Sequence, residues 1–164
     1  TYWAKKLTRA QLFQQLPGED NYFQCIPRTR IVLRLFGGEH AIDIFRVCAA
    51  ACILGIRLNI SYAKNNDILR ILESCQNLSN LKIKKEDQAT FSNHLYKGKY
   101  QRIRLLKPNP DFIIDTNMDT QILVIQDPVL SNGRIELLHY LKEITISRIT
   151  HRYGQYHKGK DYLK

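Results

Sequence analysis

The stretch RIVLRLFGGEHAIDIFRVCAAACILG, Arg30 to Gly55, decides the fold class. Arg30–Phe36 is apolar on both sides at its centre, the pattern of a strand covered by helices on both faces. Gly37-Gly38 follows at once. Ala41–Leu54 then reads as a helix whose apolar face is expected at Ile42, Phe45, Cys48, Ala49, Cys52 and Ile53. Gly55 stands where a helix-ending glycine belongs.

The pattern recurs downstream. Arg57–Tyr62, Leu81–Lys84, Arg102–Leu106 and Gln121–Ile125 read as strands. Ile68–Cys75 reads as a helix capped by Asn66-Asp67, with Ile68, Leu69, Ile71, Leu72 and Cys75 facing inward. Asp87–Lys97 is a polar helix ended by Gly98, and Pro108–Asn117 a turn with a weak helical segment. Strands alternating with helices predict right-handed crossovers and a mainly parallel sheet, a Rossmann-like three-layer α/β domain over residues 29–142.

Flanking pieces differ in character. Trp3, Leu7, Ala10 and Phe13 share one side of a helix expected over Thr1–Gln15, followed by a turn at Glu19-Asp20-Asn21 and an extended run Tyr22–Ile26. Residues 1–28 are therefore expected to be a linker helix and an extended segment. Near the other end, Ile135, Leu138 and Leu141, with Leu137 beside them, predict the apolar face of a short helix, and the nearby carboxylates Glu136 and Glu143 are read as exposed helix-face charges. Alternation then begins at Ile144, and residues 143–164 are expected to hold a protruding strand, a His-Arg-Tyr-Gly motif and a basic tail.

At 164 residues, with 44% hydrophobic and 24% charged content, the chain has the make-up of one globular domain. No apolar run approaches a membrane span and no leader is evident, so a cytoplasmic location is expected. The chain begins at Thr1 without a methionine, which suggests a piece of something longer. The net charge of +10 gathers at both ends (Lys5, Lys6 and Arg9; Arg148, Arg152, Lys158, Lys160 and Lys164), with Tyr153, Tyr156 and Tyr162 interleaved. That combination suits a basic nucleic-acid or anionic-surface module. Because no such module is legible, a solvated surface without nucleic acid is the preferred reading.

Chemistry is sparsely signalled. A dinucleotide turn needs G-x-G-x-x-G; Phe36-Gly37-Gly38-Glu39-His40-Ala41 has two adjacent glycines, lacks the third, and places Glu39 where it would repel phosphate. Gly37 and Gly38 are thus weak cofactor-binding candidates, and a small NAD-binding domain is the enzymatic alternative. Cys25, Cys48, Cys52 and Cys75 lack metal-site spacing, show no identifiable general base, and are read as reduced packing residues. Of His139, His151 and His157, only His151 is singled out, as an interface hydrogen-bonding group. No catalytic residue and no metal ligand are assigned.

GRIELLHYLKEITISRITHRYG (Gly133–Gly154) resembles the carboxy-terminal signature of the proline utilisation A family, bifunctional bacterial flavoenzymes of proline catabolism. LPGEDNYFQCIPR (Leu16–Arg28) and the Ala-rich run Ile42–Gly55 are similar in character to family segments. The resemblance implies a parent carrying an FAD-dependent proline dehydrogenase and an NAD-dependent 1-pyrroline-5-carboxylate dehydrogenase of the aldehyde dehydrogenase superfamily. In longer members a further, non-catalytic terminal domain packs on the dehydrogenase through a β-flap and closes the substrate channel. By resemblance, Ile144, Ile146 and Arg148 would lie on the flap strand and His151, Arg152, Tyr153 and Gly154 would be the closing motif, with the parent's other domains as partners and a homo-oligomer as an option. The chain departs from the family after Gly154, with Gln155-Tyr156 where relatives carry Asn-Leu.

Overall fold

The computed structural model describes residues 6–16, 18–64, 67–74, 80–108, 112, 122–149, 151–152 and 155–156. The chain forms two compact units, Arg28–Tyr140 and a second built from Thr1–Pro27 with Leu141–Lys164.

Arg28–Tyr140 holds a parallel sheet of β3 (Ile31–Leu35), β4 (Leu58–Tyr62), β5 (Leu81–Lys85), β6 (Arg102–Arg104) and β7 (Leu123–Ile125). Their order is β5-β4-β3-β6-β7, so the chain winds outward in one direction from β3, then returns to β3's other side at β6. This is the doubly wound Rossmann-like arrangement that the alternation predicts. Every residue of β3 is buried, as a central strand between helical layers must be. Val32, Phe91, Leu95, Tyr100, Ile103, Leu105 and Phe112 form a core cluster, with the Phe91 and Phe112 rings 6.1 Å apart.

The helices are α1 (Ala41–Leu54), α2 (Asp67–Ser74) and α3 (Gln88–Tyr96). Gly55 ends α1 at φ +66°, with its N–H donating to the Cys52 carbonyl. Asp87 caps α3, its carboxylate accepting from the Thr90 N–H at 2.6 Å. The buried face of α1 is not the expected one: Ile44, Val47, Cys48, Ala50, Ala51 and Leu54 face inward, whereas Ile42, Phe45, Cys52 and Ile53 are exposed. Ile71 of α2 is exposed while Leu72 is buried. The helical segment expected over 108–117 lies almost wholly outside the described residues, as do Cys75 and the Asn66 part of the proposed cap.

A short helix α4 (Gly133–Glu136) and a 3-10 turn, Leu137–Tyr140, close this unit. Here Ile135 and Leu138 are exposed, and Glu136, Leu137 and Tyr140 are buried. Of the expected apolar face, Leu137 and Leu141 are buried while Ile135 and Leu138 are turned outward, with Glu136 anchored inside (below). The reading of Glu136 as a surface charge is therefore corrected; Glu143 is exposed, but on a strand and not on a helix face.

In the other unit, β1 (Gln11–Leu16), β2 (Glu19–Pro27) and β8 (Leu141–Ile149) form an antiparallel sheet in the order β1-β2-β8. The helix expected over Thr1–Gln15 is replaced, from Gln11 on, by a strand; Glu19–Asn21 belongs to β2 and is not a turn. Gly18, at φ +84°, permits the reversal. The terminal strand starts at Leu141, earlier than expected, and pairs with β2 along its whole length, Glu19 opposite Ile149 and Pro27 opposite Leu141. Beyond it, β9 (His151–Arg152) pairs antiparallel with β10 (Gln155–Tyr156).

Candidate functional site: a self-occupied switch point

In a doubly wound sheet, ligands bind outside the carboxyl ends of the strands where the winding reverses. That point lies between β3 and β6, so the loops after Leu35 and Arg104 are the place to look.

The loop after β3 carries Gly37 at φ +109° and Gly38 at φ +76°, both in the region that favours glycine. A side chain at Gly37 would meet Lys64 only at ordinary contact distance, and one at Gly38 would meet nothing. The pair is thus required by backbone conformation, not by close approach of another group. Its amides are already engaged. The Phe36 N–H donates to Glu39 Oε1 at 2.6 Å, and the Gly37 N–H donates to Glu39 Oε2 at 2.9 Å and Oε1 at 3.1 Å. Glu39 is 8% exposed. Its carboxylate takes the charge-assisted hydrogen bonds that a phosphate takes in a dinucleotide turn. From the other side, Lys107 reaches from the loop after β6 and donates its ammonium to the Gly38 carbonyl.

Next to the switch point sits a polar cluster that the sequence does not signal. Arg34 of β3, 1% exposed, donates to Ser61 Oγ at 2.7 Å and to the Glu86 carbonyl at 3.0 Å, and its guanidinium lies 4.5 Å over the Phe91 ring. Ser61 donates to Glu86 Oε2 at 3.0 Å, while His94 Nδ1 and Lys84 Nζ approach Oε1 at 3.2 and 3.4 Å. Burial pushes the Glu86 carboxyl up, but the Ser61 hydroxyl and the facing His94, Lys99 and Lys84 outweigh it and hold Glu86 below the ordinary range. Serine, carboxylate and imidazole are together but in the wrong order. A hydrolytic triad needs the imidazole against the hydroxyl to take its proton. Here the carboxylate stands between them, so the group is a buried ion network.

A second such network explains the GRIELLHYL segment. Arg104, fully buried, donates to Glu136 Oε1 at 3.2 Å and to the Asp127 carbonyl at 2.6 Å. The Tyr140 hydroxyl donates to Glu136 Oε1 at 2.9 Å, and the Leu130 N–H to Oε2 at 3.0 Å. Burial, then the Glu136 charge, push the Tyr140 phenol far up, so it stays a donor at every ordinary pH.

Two of the three described thiols, Cys25 and Cys48, are buried and held in the protonated form. Burial pushes Cys48 up to about 12 and raises Cys25, and Cys25 faces Glu143, which raises it further. Cys52 is exposed, contrary to its expected place in the core. No group of three metal-ligating side chains occurs among the described residues, and no described helix is long and apolar enough to cross a membrane.

The residues assigned to an interface fall on β8 and β9. Ile144, Ile146 and Arg148 share one half-buried face of β8, opposite Gln24, Tyr22 and Asp20 of β2, and Ser147 on the other face donates to Asn21 Oδ1 at 2.5 Å. His151 and Arg152 form β9; Tyr153 and Gly154 lie outside the described residues.

The fold is therefore a Rossmann-like α/β domain in which Glu39 holds the amides of the loop after β3. Solved structures similar to it include proline utilization A from Corynebacterium freiburgense, 24% identical over 92% of this chain and 13% of that one, with a TM-score of 0.47. Proline utilization A from Bdellovibrio bacteriovorus, inactivated by N-propargylglycine, is 11% identical over 76% of this chain and 14% of that one, with a TM-score of 0.52. A putative aldehyde dehydrogenase from Burkholderia cenocepacia is 17% identical over 63% of this chain and 23% of that one, with a TM-score of 0.48. Of these three the Bdellovibrio structure alone has a TM-score above 0.5; at 11% identity its likeness is one of fold, and the chain spans a small part of each structure. No protein-family model and no curated protein sequence matches it.

Proposed function

We propose that this chain is a non-catalytic carboxy-terminal domain of a bacterial, cytoplasmic proline-oxidising flavoenzyme of the proline utilisation A type. In this reading the parent chain binds FAD and NAD elsewhere, converts proline to glutamate through 1-pyrroline-5-carboxylate, and uses this domain to pack on its dehydrogenase and close the channel between active sites. The observation that carries the proposal is the Glu39 carboxylate seated on the Phe36 and Gly37 amides, where a coenzyme pyrophosphate would otherwise sit. A nucleotide fold whose phosphate position is filled by its own acid is suited to a structural task. The GRIELLHYL resemblance and the antiparallel sheet built on β8 support the flap assignment, with Ile144, Ile146, Arg148 and the His151–Gly154 motif as the contact.

Two measurements test it. Calorimetry of the isolated chain with NAD is expected to show no saturable heat, and no NADH should form with proline or glutamate semialdehyde; micromolar NAD affinity or turnover overturns the non-catalytic reading. Co-expressed with the catalytic portion of its parent, the chain is expected to co-purify, and the pair Ile144→Lys and Ile146→Lys to release it. Retention of the double variant overturns the flap assignment.

A further inference from the structure

The opposite end of the parallel sheet holds a feature that this function does not use. A cavity of about 510 Å3 opens at the amino-terminal edge, where β3, β6 and β7 begin. Its walls include Arg28, Arg30 and Arg102, with Tyr100, Ile122 and Leu123 supplying apolar surface. The guanidiniums of Arg30 and Arg102 give it positive charge.

The arginines are held in place. Arg102 is 8% exposed and donates Nη1 to the His139 carbonyl; Arg30 donates Nη1 to the Gly98 carbonyl at 3.2 Å. These carbonyls orient the guanidiniums but cancel no charge, and each guanidinium has five N–H groups to offer. Burial, and then the nearby Arg28 charge, pull the Arg102 pKa down from its ordinary value, whereas Arg30 is exposed at the pocket's mouth. Arg30 is also the one non-glycine residue at positive φ among the described residues, at +56°, and the Gln101 N–H holds its carbonyl at 2.9 Å. Strained backbone of this kind persists where the surroundings over-determine it, and it collects at binding sites.

We propose that this pocket binds a small molecule bearing a carboxylate or phosphate group, with its oxyanion against Arg30 and Arg102 and a short apolar body against Ile122 and Leu123. A planar guanidinium meets both oxyanions through paired N–H donors, and a cavity of this volume is the usual size for a small-molecule ligand. Substrate of the parent enzyme is not required: the pocket is at the other end of the strands from the Gly37–Gly38 loop.

The test is calorimetry on the full 164-residue chain at low salt with two probes, inorganic phosphate and succinate. Saturation by both assigns a general oxyanion site, by phosphate alone a phosphorylated ligand, and by succinate alone a dicarboxylate. Arg30→Gln is expected to weaken binding about tenfold, the loss of one charge-assisted contact, whereas Lys85→Gln, the same charge removed from an exposed position elsewhere, leaves it within about twofold. Arg30→Lys, which keeps the charge but not the paired donors, provides a second variant should Arg30→Gln unfold. No saturation with either probe, unchanged affinity in the folded arginine variant, or equal weakening by Lys85→Gln overturns the proposal. None of these outcomes bears on the Glu39 loop, so this site and the proposed function fail separately.

Discussion

Glu39 shows how one side chain changes what a loop can do. In sequence it is an acid beside two glycines; in space it spans back to the Phe36 and Gly37 amides. Glu39→Ala should leave those donors to water on a half-exposed loop, with a loss of about 1–2 kcal/mol in urea unfolding. Glu136 is a more severe case, because Arg104, Tyr140 and the Leu130 amide all converge on it in a dry interior. Glu136→Leu leaves the Arg104 charge uncompensated, and a loss of about 3–5 kcal/mol, or failure to fold, is expected. The double change Glu136→Leu with Arg104→Met should recover much of that loss. Glu86 sets a pH dependence. Its folded pKa is depressed, so its contribution is present above the unfolded carboxyl value, near 4.3, and is lost as pH falls through the lower folded value. The urea midpoint should fall over that acid range, and Glu86→Gln should flatten this limb; equal slopes for both proteins would show that other groups carry it.

At the level of elements, what could be read in advance was whatever depends on neighbours in the chain. The extent of α1 and its Gly55 stop, the all-buried β3 and the glycine-ended α3 follow from local pattern, and the structure has them where the pattern places them. Which face of α1 is buried was not legible, because Ile42, Ile44, Phe45, Val47 and Ala49–Ala51 make the helix apolar nearly all round. The strand at Gln11–Leu16 was missed for another reason: Trp3, Leu7, Ala10 and Phe13 do fit a helical period, and only pairing with β2 makes this segment extended. At the candidate site, Gly37, Gly38 and the hostile acid were visible, whereas Lys107 lies 69 residues from Gly38 and Arg104 lies 32 from Glu136, distances over which no periodicity speaks. The turned face of α1 has a chemical consequence. Cys52 is exposed while Cys48 and Cys25 are buried with raised pKa values. In a Cys75→Ser background, Cys52 should react with a thiol reagent at neutral pH at least about tenfold faster than either of the others. Mass-spectrometric mapping of the labelled peptides checks the order.

The whole molecule divides its sequence unevenly. The parallel sheet is continuous in sequence from Arg28 to Tyr140, but the antiparallel sheet draws β1 and β2 from one side of that span and β8 from the other. In that sheet β2 is central and β8 supplies one of its two neighbours over nine residue pairs, Glu19↔Ile149 to Pro27↔Leu141. A chain ending at Lys142 therefore leaves β1 and β2 as a two-stranded hairpin, which is marginal in water. The parallel sheet loses no strand by that cut, and its core cluster of Val32, Phe91, Leu95, Ile103 and Leu105 lies within its own unit. Hydrogen exchange of the shortened chain should show protection lost across Glu19–Pro27 and kept across Ile31–Leu35. If Glu19–Pro27 stays protected, the hairpin is held by something other than β8, and the flap assignment loses its structural basis. If Ile31–Leu35 loses protection as well, the two units unfold as one, and the terminal strand is a requirement of the whole fold.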